Sequence, residues 1–422
     1  MQRTDHAASR PRARAFICDP VCAQPFGHNV VGLKYFSDAA RPFFQEIIPL
    51  SSRALPQKIR DNYRFVGAFA FYYHRQIDIG HRKSQCIELR DAAGAIVDTE
   101  LRSAEDDFRA LFEQYRPTSA DAIVFPSVDY YGALGAFAAL EQMKPADAPA
   151  LYIRFIGVME NASSNDLPGL LPMLRRIADL RRAGHTIKLC AETPRYADYL
   201  AREIGSPVDV VPYPPHGDVS SDASQSSRED EESSQEIAQR PSRPFTVSCP
   251  GSSRYDKGYL SLRDIFWKVR SLDPEIRIRF VTQGLPIHEA VHHSQYTNQL
   301  YALPGVRILP SSLSEQQIND GYRQSDLVIL PYDPAIYQYR GSAVFMECLA
   351  RGIPVIAQSG SAFCEQIAYY GAGVVVDGVD AMVTEIVRHS MRSPRSMRIQ
   401  LTQAKHRYNI DAAHAFATWV KP

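Results

Sequence analysis

SDLVILPYDPAIYQYRGSAVFMECLARGIPVIAQSGSAFCEQIAYYGAGVVV, Ser325 to Val376, decides how this chain is read. It spells strand, loop, helix, strand, helix, strand. Leu327–Leu330 is a short apolar run stopped by Pro331, as expected of a strand buried on both faces. Pro334 lacks an N–H, so the strand cannot continue through Tyr332–Arg340. Gly341 and Ser342 open a helix predicted to run through Ala350, with Ser342 as its N-terminal cap. Gly352 stops that helix, Pro354 follows two residues later, and Pro354–Ala357 is the next strand. A loop at the carboxyl end of a buried strand, leading into the free N–H groups of a helix, is a natural anion site.

The same grammar appears upstream. Phe245–Cys249 reads as a strand, followed by Pro250-Gly251-Ser252-Ser253-Arg254-Tyr255-Asp256-Lys257-Gly258 and a helix over Tyr259–Arg270. Two cations beside a helix N-terminus can compensate the charge of a diphosphate. Ile276–Thr282 and Val306–Leu309 are further strands, and Ser314 caps a helix to Ser325. Asp380–Met391, Arg395–Tyr408 and Ala412–Val420 read as three closing helices. Toward the N-terminus, strands at Arg14–Asp19, Glu46–Leu50, Ala122–Phe125, Ala150–Ile156, Thr186–Ala191 and Val208–Val211 alternate with helices. The first of those helices starts at Asn29, its expected cap. Phe65, Phe69 and Tyr72 share helical spacing and read as core. Cys86–Leu101, turning at Asp91-Ala92-Ala93-Gly94, reads as a hairpin. The alternation predicts an α/β fold with two parallel sheets covered by helices.

Residues 216–243 differ in kind. They hold no aromatic and only Val219 and Ile237 as large aliphatics, too little apolar surface to offset the cost of ordering. The expected domains are therefore 14–215 and 244–395. Disordered segments are expected at 1–13 and 216–243, and closing helices over 396–422 are expected to pack back on the first domain.

The chain has 422 residues, 45% hydrophobic and 22% charged, with formal net charge zero. That balance gives no bias toward nucleic acid, and basic stripes with interleaved aromatics are absent. No apolar run approaches the roughly 20 residues of a membrane span. The basic N-terminal stretch lacks an apolar core, so no secretory signal is expected. Seven cysteines without CxxC or CxxH spacing read as reduced thiols, which places the expected location in the cytoplasm. His288 and the pair His292-His293 read as polar loop residues, and no metal site is expected.

Ser325-Asp326, Pro331-Tyr332, Arg340-Gly341-Ser342 and the run Phe345 to Ile356 resemble the donor-binding core of GT-B glycosyltransferases, above all the retaining nucleotide-sugar group of the family 4 type. Gly251, Arg254, Lys257 and Gly258 match the opening of that family's second domain. The resemblance implies two Rossmann-like domains with parallel sheets facing an interdomain cleft. It implies transfer of a sugar from a nucleotide-diphosphate-sugar donor to a glycan, lipid-linked or other hydroxyl acceptor. The setting it implies is cell-surface polysaccharide or glycoconjugate synthesis, with peripheral membrane contact an option. It assigns Arg254, Lys257, Arg340, Gly341 and Ser342 to the donor diphosphate and Glu347 to the ribose hydroxyls, with no cofactor or metal required. Gly27, Gly251 and Tyr339 fall in its cleft loops. Many members carry a second Glu where this chain has Tyr339, followed by Arg340; a cation there favours diphosphate over a sugar hydroxyl. Retention is what the resemblance implies. Inversion instead would need a general base from the first domain, and His28 and Asp19 are the candidates. The competing readings are a non-catalytic nucleotide- or glycan-binding subunit of the same fold, and a nucleotide-sugar epimerase or phosphorylase.

Overall fold

The computed structural model describes residues 12–24, 28–70, 89–90, 96–97, 99–157, 170–213, 243–251, 253–285, 293–311, 313–392 and 394–421. Gly27, Tyr72, the hairpin turn, His288, His292 and nearly all of the segments expected to be disordered lie outside them. The described residues form two compact units. One draws on Met1–Glu192, Tyr196–Pro214 and Ala413–Pro422, the other on Thr193–Arg195 and Pro215–Ala412.

In the first unit, strands β1 (Arg12–Asp19), β2 (Phe44–Ser52), β3 (Val66–Phe69), β6 (Ala122–Phe125), β7 (Ala150–Phe155), β8 (Ile187–Ala191) and β9 (Asp209–Val210) form one sheet. Its order is β3-β2-β1-β6-β7-β8-β9, with every pairing parallel. All four residues of β6 and all six of β7 are buried, which is why they read as continuous apolar runs. Helix α1 (His28–Ala40) lays Leu33 and Phe36 on the sheet. Phe416 and Trp419 fill the same core, with Trp419 edge-on to Tyr152 at 5.5 Å between ring centroids. The intervening β4 (Leu89–Arg90) and β5 (Ile96–Val97) pair antiparallel as a separate ribbon.

The second unit is a six-stranded parallel sheet of β10 (Phe245–Cys249), β11 (Ile278–Gln283), β12 (Val306–Leu309), β13 (Leu327–Leu330), β14 (Val355–Gln358) and β15 (Gly373–Val376). Its order is β12-β11-β10-β13-β14-β15. Numbered within the unit this is 3-2-1-4-5-6, the doubly wound dinucleotide-binding order, which reverses between β10 and β13.

Four local expectations are corrected. Phe65 and Phe69 are buried but not helical: α2 (Gln57–Tyr63) ends where Arg64 adopts a left-handed φ of 57°, and the chain leaves as edge strand β3. Asn29 does not cap α1; it lies inside the helix, and its amide donates to Asp19 Oδ2 at 3.2 Å. The helix expected from Tyr259 begins as short 3-10 turns at Tyr255–Lys257 and Tyr259–Ser261, because Gly258 between them is left-handed (φ 74°). The two closing helices are one, Pro394–Val420, since no Gly or Pro separates Tyr408 from Ala412. Among the described residues six cysteines are free and buried, and no helix is long and apolar enough to cross a membrane.

Candidate anion-binding site

Ligands of open parallel sheets sit outside the carboxyl ends of the strands at the point where the strand order reverses. In the second unit that point lies between β10 and β13. The loops leaving these strands, 250–258 and 331–342, carry the basic residues singled out from the sequence. They are bound together by backbone. Asp333 N donates to Asp256 O at 2.9 Å. Gly258 packs so closely that a Cβ there would meet Pro331 O at 1.9 Å.

On this frame the side chains converge. Arg254 forks onto buried Asp256, Nε to Oδ1 at 2.9 Å and Nη2 to Oδ2 at 2.7 Å. Tyr337 closes the cluster, its hydroxyl donating to Asp256 Oδ2 at 3.3 Å and accepting from Arg254 Nη2 at 3.4 Å. Burial lowers the Arg254 pKa, but Asp256 and Tyr337 outweigh it and hold the net shift upward. Lys257 places Nζ 5.9 Å from the centroid of the Tyr332 ring. It also lies against Gly251, where a Cβ would come within 2.8 Å of Nζ. Burial first, and Arg254 second, pull the Lys257 pKa down to about 8, with Asp256 compensating only in part. Arg340 is buried, its guanidinium 5.9 Å from the Tyr337 ring, and Tyr332 and Tyr337 pack 4.6 Å apart. The three cations thus share one aromatic pair.

The next element is α10 (Ala343–Arg351). Ser342 caps it, Oγ accepting from Phe345 N at 3.1 Å, and Gly352 ends it with φ 65°. The chain turns from buried Arg340 into the positive end of a helix dipole, so fixed charge and N–H groups favour an anion at one place.

No protein-family profile matches the sequence, and no curated protein does. Solved structures do. A glycosyltransferase from Rickettsia africae ESF-5 aligns over 96% of this chain and 99% of its own, at 11% identity and a TM-score of 0.59. Anabaena HepE in complex with UDP aligns over 96% and 100%, at 13% identity and a TM-score of 0.59. An E. coli trehalose-6-phosphate structure bound with UDP-2-fluoro glucose aligns over 97% and 98%, at 11% identity and a TM-score of 0.62. The chain has the GT-B fold.

Within this GT-B chain, Glu347 lies one turn before Arg351 on α10, and Asn319 and Tyr322 lie on α9 (Glu315–Gln324). Its carboxylate pairs with Arg351, which also donates to Asn319 Oδ1 at 2.9 Å and lies 4.8 Å over the Tyr322 ring. Tyr339 is half-buried in the loop before Arg340. Of the first-unit candidates, Asp19 sits at that sheet's own reversal point, between β1 and β6. Asp19 is the last residue of β1, 2% exposed, and accepts from Val21 N at 3.2 Å and from Asn29. Burial raises its pKa to about 7; the Asn29 bond opposes the rise and Asp129 adds to it. Asp129 is buried and caps α4 (Tyr130–Glu141) by accepting from Gly132 N at 2.7 Å. His28 is the first residue of α1.

Arg154 was not singled out from the sequence. It is fully buried at the end of β7, donating to Val211 O at 2.8 Å and Pro126 O at 3.0 Å, and pairing with Glu192 at 3.2 Å. A lone Arg inside the apolar run ALYIRF was the available signal, since an arginine in such a strand must find partners there.

Proposed function

We propose that this protein is a glycosyltransferase that takes its sugar from a nucleotide-diphosphate-sugar and passes it to a hydroxyl acceptor. The observation that carries the reading is the gathering of Arg254, Lys257 and Arg340 around Tyr332 and Tyr337, beside the N-terminus of α10. In the transfer step the bond between the sugar's anomeric carbon and the diphosphate oxygen breaks. The acceptor oxygen forms the new bond and passes its proton to the departing diphosphate oxygen, and the nucleoside diphosphate leaves as an anion. Preset cations and helix N–H groups stabilise that leaving charge without reorganising. With three cations from the chain at the diphosphate, the reading requires no metal. Two structures of the same fold holding UDP or a UDP-sugar support the donor class.

Glu347 would accept from the ribose hydroxyls once its pairing with Arg351 yields one carboxylate oxygen. Because Tyr339 stands where a second acid is expected, the transferred sugar would be held by other groups. Retention of configuration and a glycan or lipid-linked acceptor remain part of the proposal. So do a cytoplasmic setting and polysaccharide synthesis.

Nucleotide-sugars are offered with glycan acceptors, and release of nucleoside diphosphate is followed. Turnover by the wild type, abolished in folded Arg254→Ala and Lys257→Ala proteins, is the expected result; undiminished turnover in both variants refutes the scheme. The Glu347–Arg351 pairing favours one second reading, a non-catalytic nucleotide-binding subunit. Tight nucleoside diphosphate binding with no turnover of any donor would select it.

A further inference from the structure

Helix α7 (Leu262–Leu272) buries Leu262, Ile265, Phe266 and Val269, so the core makes no use of Trp267. Trp267 is 58% exposed. It borders a groove of about 450 Å³ shared with Arg263, Asp264, Gln299, Ala302 and Leu303, in the size range of small-molecule sites, roughly 300–1,000 Å³. Three planar polar groups are already set beside the indole. Arg263 donates from Nε to Asp264 Oδ1 and from Nη1 to Gln299 Oε1, each at 2.9 Å. Its guanidinium lies 5.1 Å over the Tyr296 ring. The Tyr296 hydroxyl accepts the Arg263 backbone N–H at 2.8 Å and donates to Tyr259 O at 2.7 Å. The guanidinium is therefore held in place before any ligand arrives.

A pyranose ring has a face of C–H groups and a rim of hydroxyls, each both donor and acceptor. An open indole face takes the first; a carboxylate, a guanidinium and an amide take the second. Asp264 disfavours a phosphate. The small apolar floor of Ala302 and Leu303 offers little to an apolar peptide anchor. We propose that this groove is a binding site for a neutral hexose unit of a glycan, with Trp267 as the stacking surface and Arg263, Asp264 and Gln299 as hydroxyl partners. The proposal does not rest on the donor site or on transfer.

The chain's other tryptophan, Trp419, is fully buried, so collisional quenching of fluorescence by acrylamide reports on Trp267. Methyl α-D-glucopyranoside, cellobiose and maltotriose are titrated into the full chain, with glycerol as the hydroxyl control. The expected result is a saturable fall in quenching by at least one sugar and none by glycerol, with Kd near or above about 1 mM. Gln299→Ala and Asp264→Asn keep the fluorophore and lie on the surface. Each should weaken the effect about 2- to 10-fold, the value of one hydrogen bond. Unchanged quenching with all three sugars overturns the proposal, and so does equal protection by glycerol. Full sugar protection in both variants overturns it too. Protection that grows with protein concentration in the absence of sugar assigns the face to a second copy of the chain and equally overturns it.

Discussion

If a nucleoside diphosphate binds where Arg254, Lys257 and Arg340 meet, it must change the charge state of Lys257. In the free protein, burial and Arg254 hold that ammonium at a pKa of about 8, against an ordinary 10.5. A diphosphate beside it supplies the missing countercharge and restores the ordinary value. The shift is about 2.5 pH units, or about 3 kcal/mol of proton-coupled binding. The free side chain is about nine-tenths charged at pH 7, half charged at pH 8 and one-tenth charged at pH 9. Binding should therefore take up about 0.1, 0.5 and 0.9 proton at those three values, and affinity should fall as pH rises from 8 toward 10. Calorimetric titration with UDP in buffers of different ionisation enthalpy measures this uptake directly. The ligand's own terminal phosphate, with a pKa of about 6, contributes little above pH 8. Lys257→Arg should bind without taking up a proton, and Lys257→Met should lose both uptake and affinity. UDP binding at pH 9 with no proton uptake, or uptake that survives in Lys257→Met, would refute the reasoning.

Gly251 has φ 96°, and a methyl there would press on Lys257 Nζ. Gly251→Ala should cost about 1–3 kcal/mol of stability in urea unfolding from backbone strain, and should also weaken nucleotide binding by displacing the ammonium; binding at the wild-type level would separate Gly251 from the site. Asp19 has its folded pKa raised to about 7, so between pH 4 and 7 the folded chain binds a proton that the unfolded chain does not. The linkage sign makes that stabilisation full at about pH 4 and lost as pH rises through 7, by as much as about 4 kcal/mol. The stability of the wild type relative to Asp19→Asn should fall across this window, and a flat difference in unfolding midpoints would count against the buried, proton-holding Asp19.

The sequence discloses signals that are local. Ser342 and Gly352 bracket α10 where the cap and stop residues predict, because each acts within one turn of its own backbone. Strands β10, β12 and β13 likewise stop where a proline follows, at Pro250, Pro310 and Pro331. Choices among distant partners were not legible. Nothing near Arg254 in sequence said that its guanidinium would meet Tyr337, a residue 83 positions on. Glu347 and Arg351 carry the spacing of an ion pair, but Asn319 and Tyr322 on another helix fix which way it leans. Phe65 and Phe69 misled because burial and period were read together. Both are core residues, but the left-handed Arg64 turns the chain into a strand before the helical period can continue.

The most direct measurement is calorimetric binding of UDP, GDP and ADP to the wild type and to a folded Arg254→Ala/Lys257→Ala/Arg340→Ala protein. Each charge-assisted contact is worth about 1.5–3 kcal/mol, so losing three should weaken binding at least about a thousandfold. The expected result is clear affinity of the wild type for at least one of these diphosphates and its loss in the triple variant. A wild type that binds none of them, or a triple variant that binds as tightly, would contradict the account.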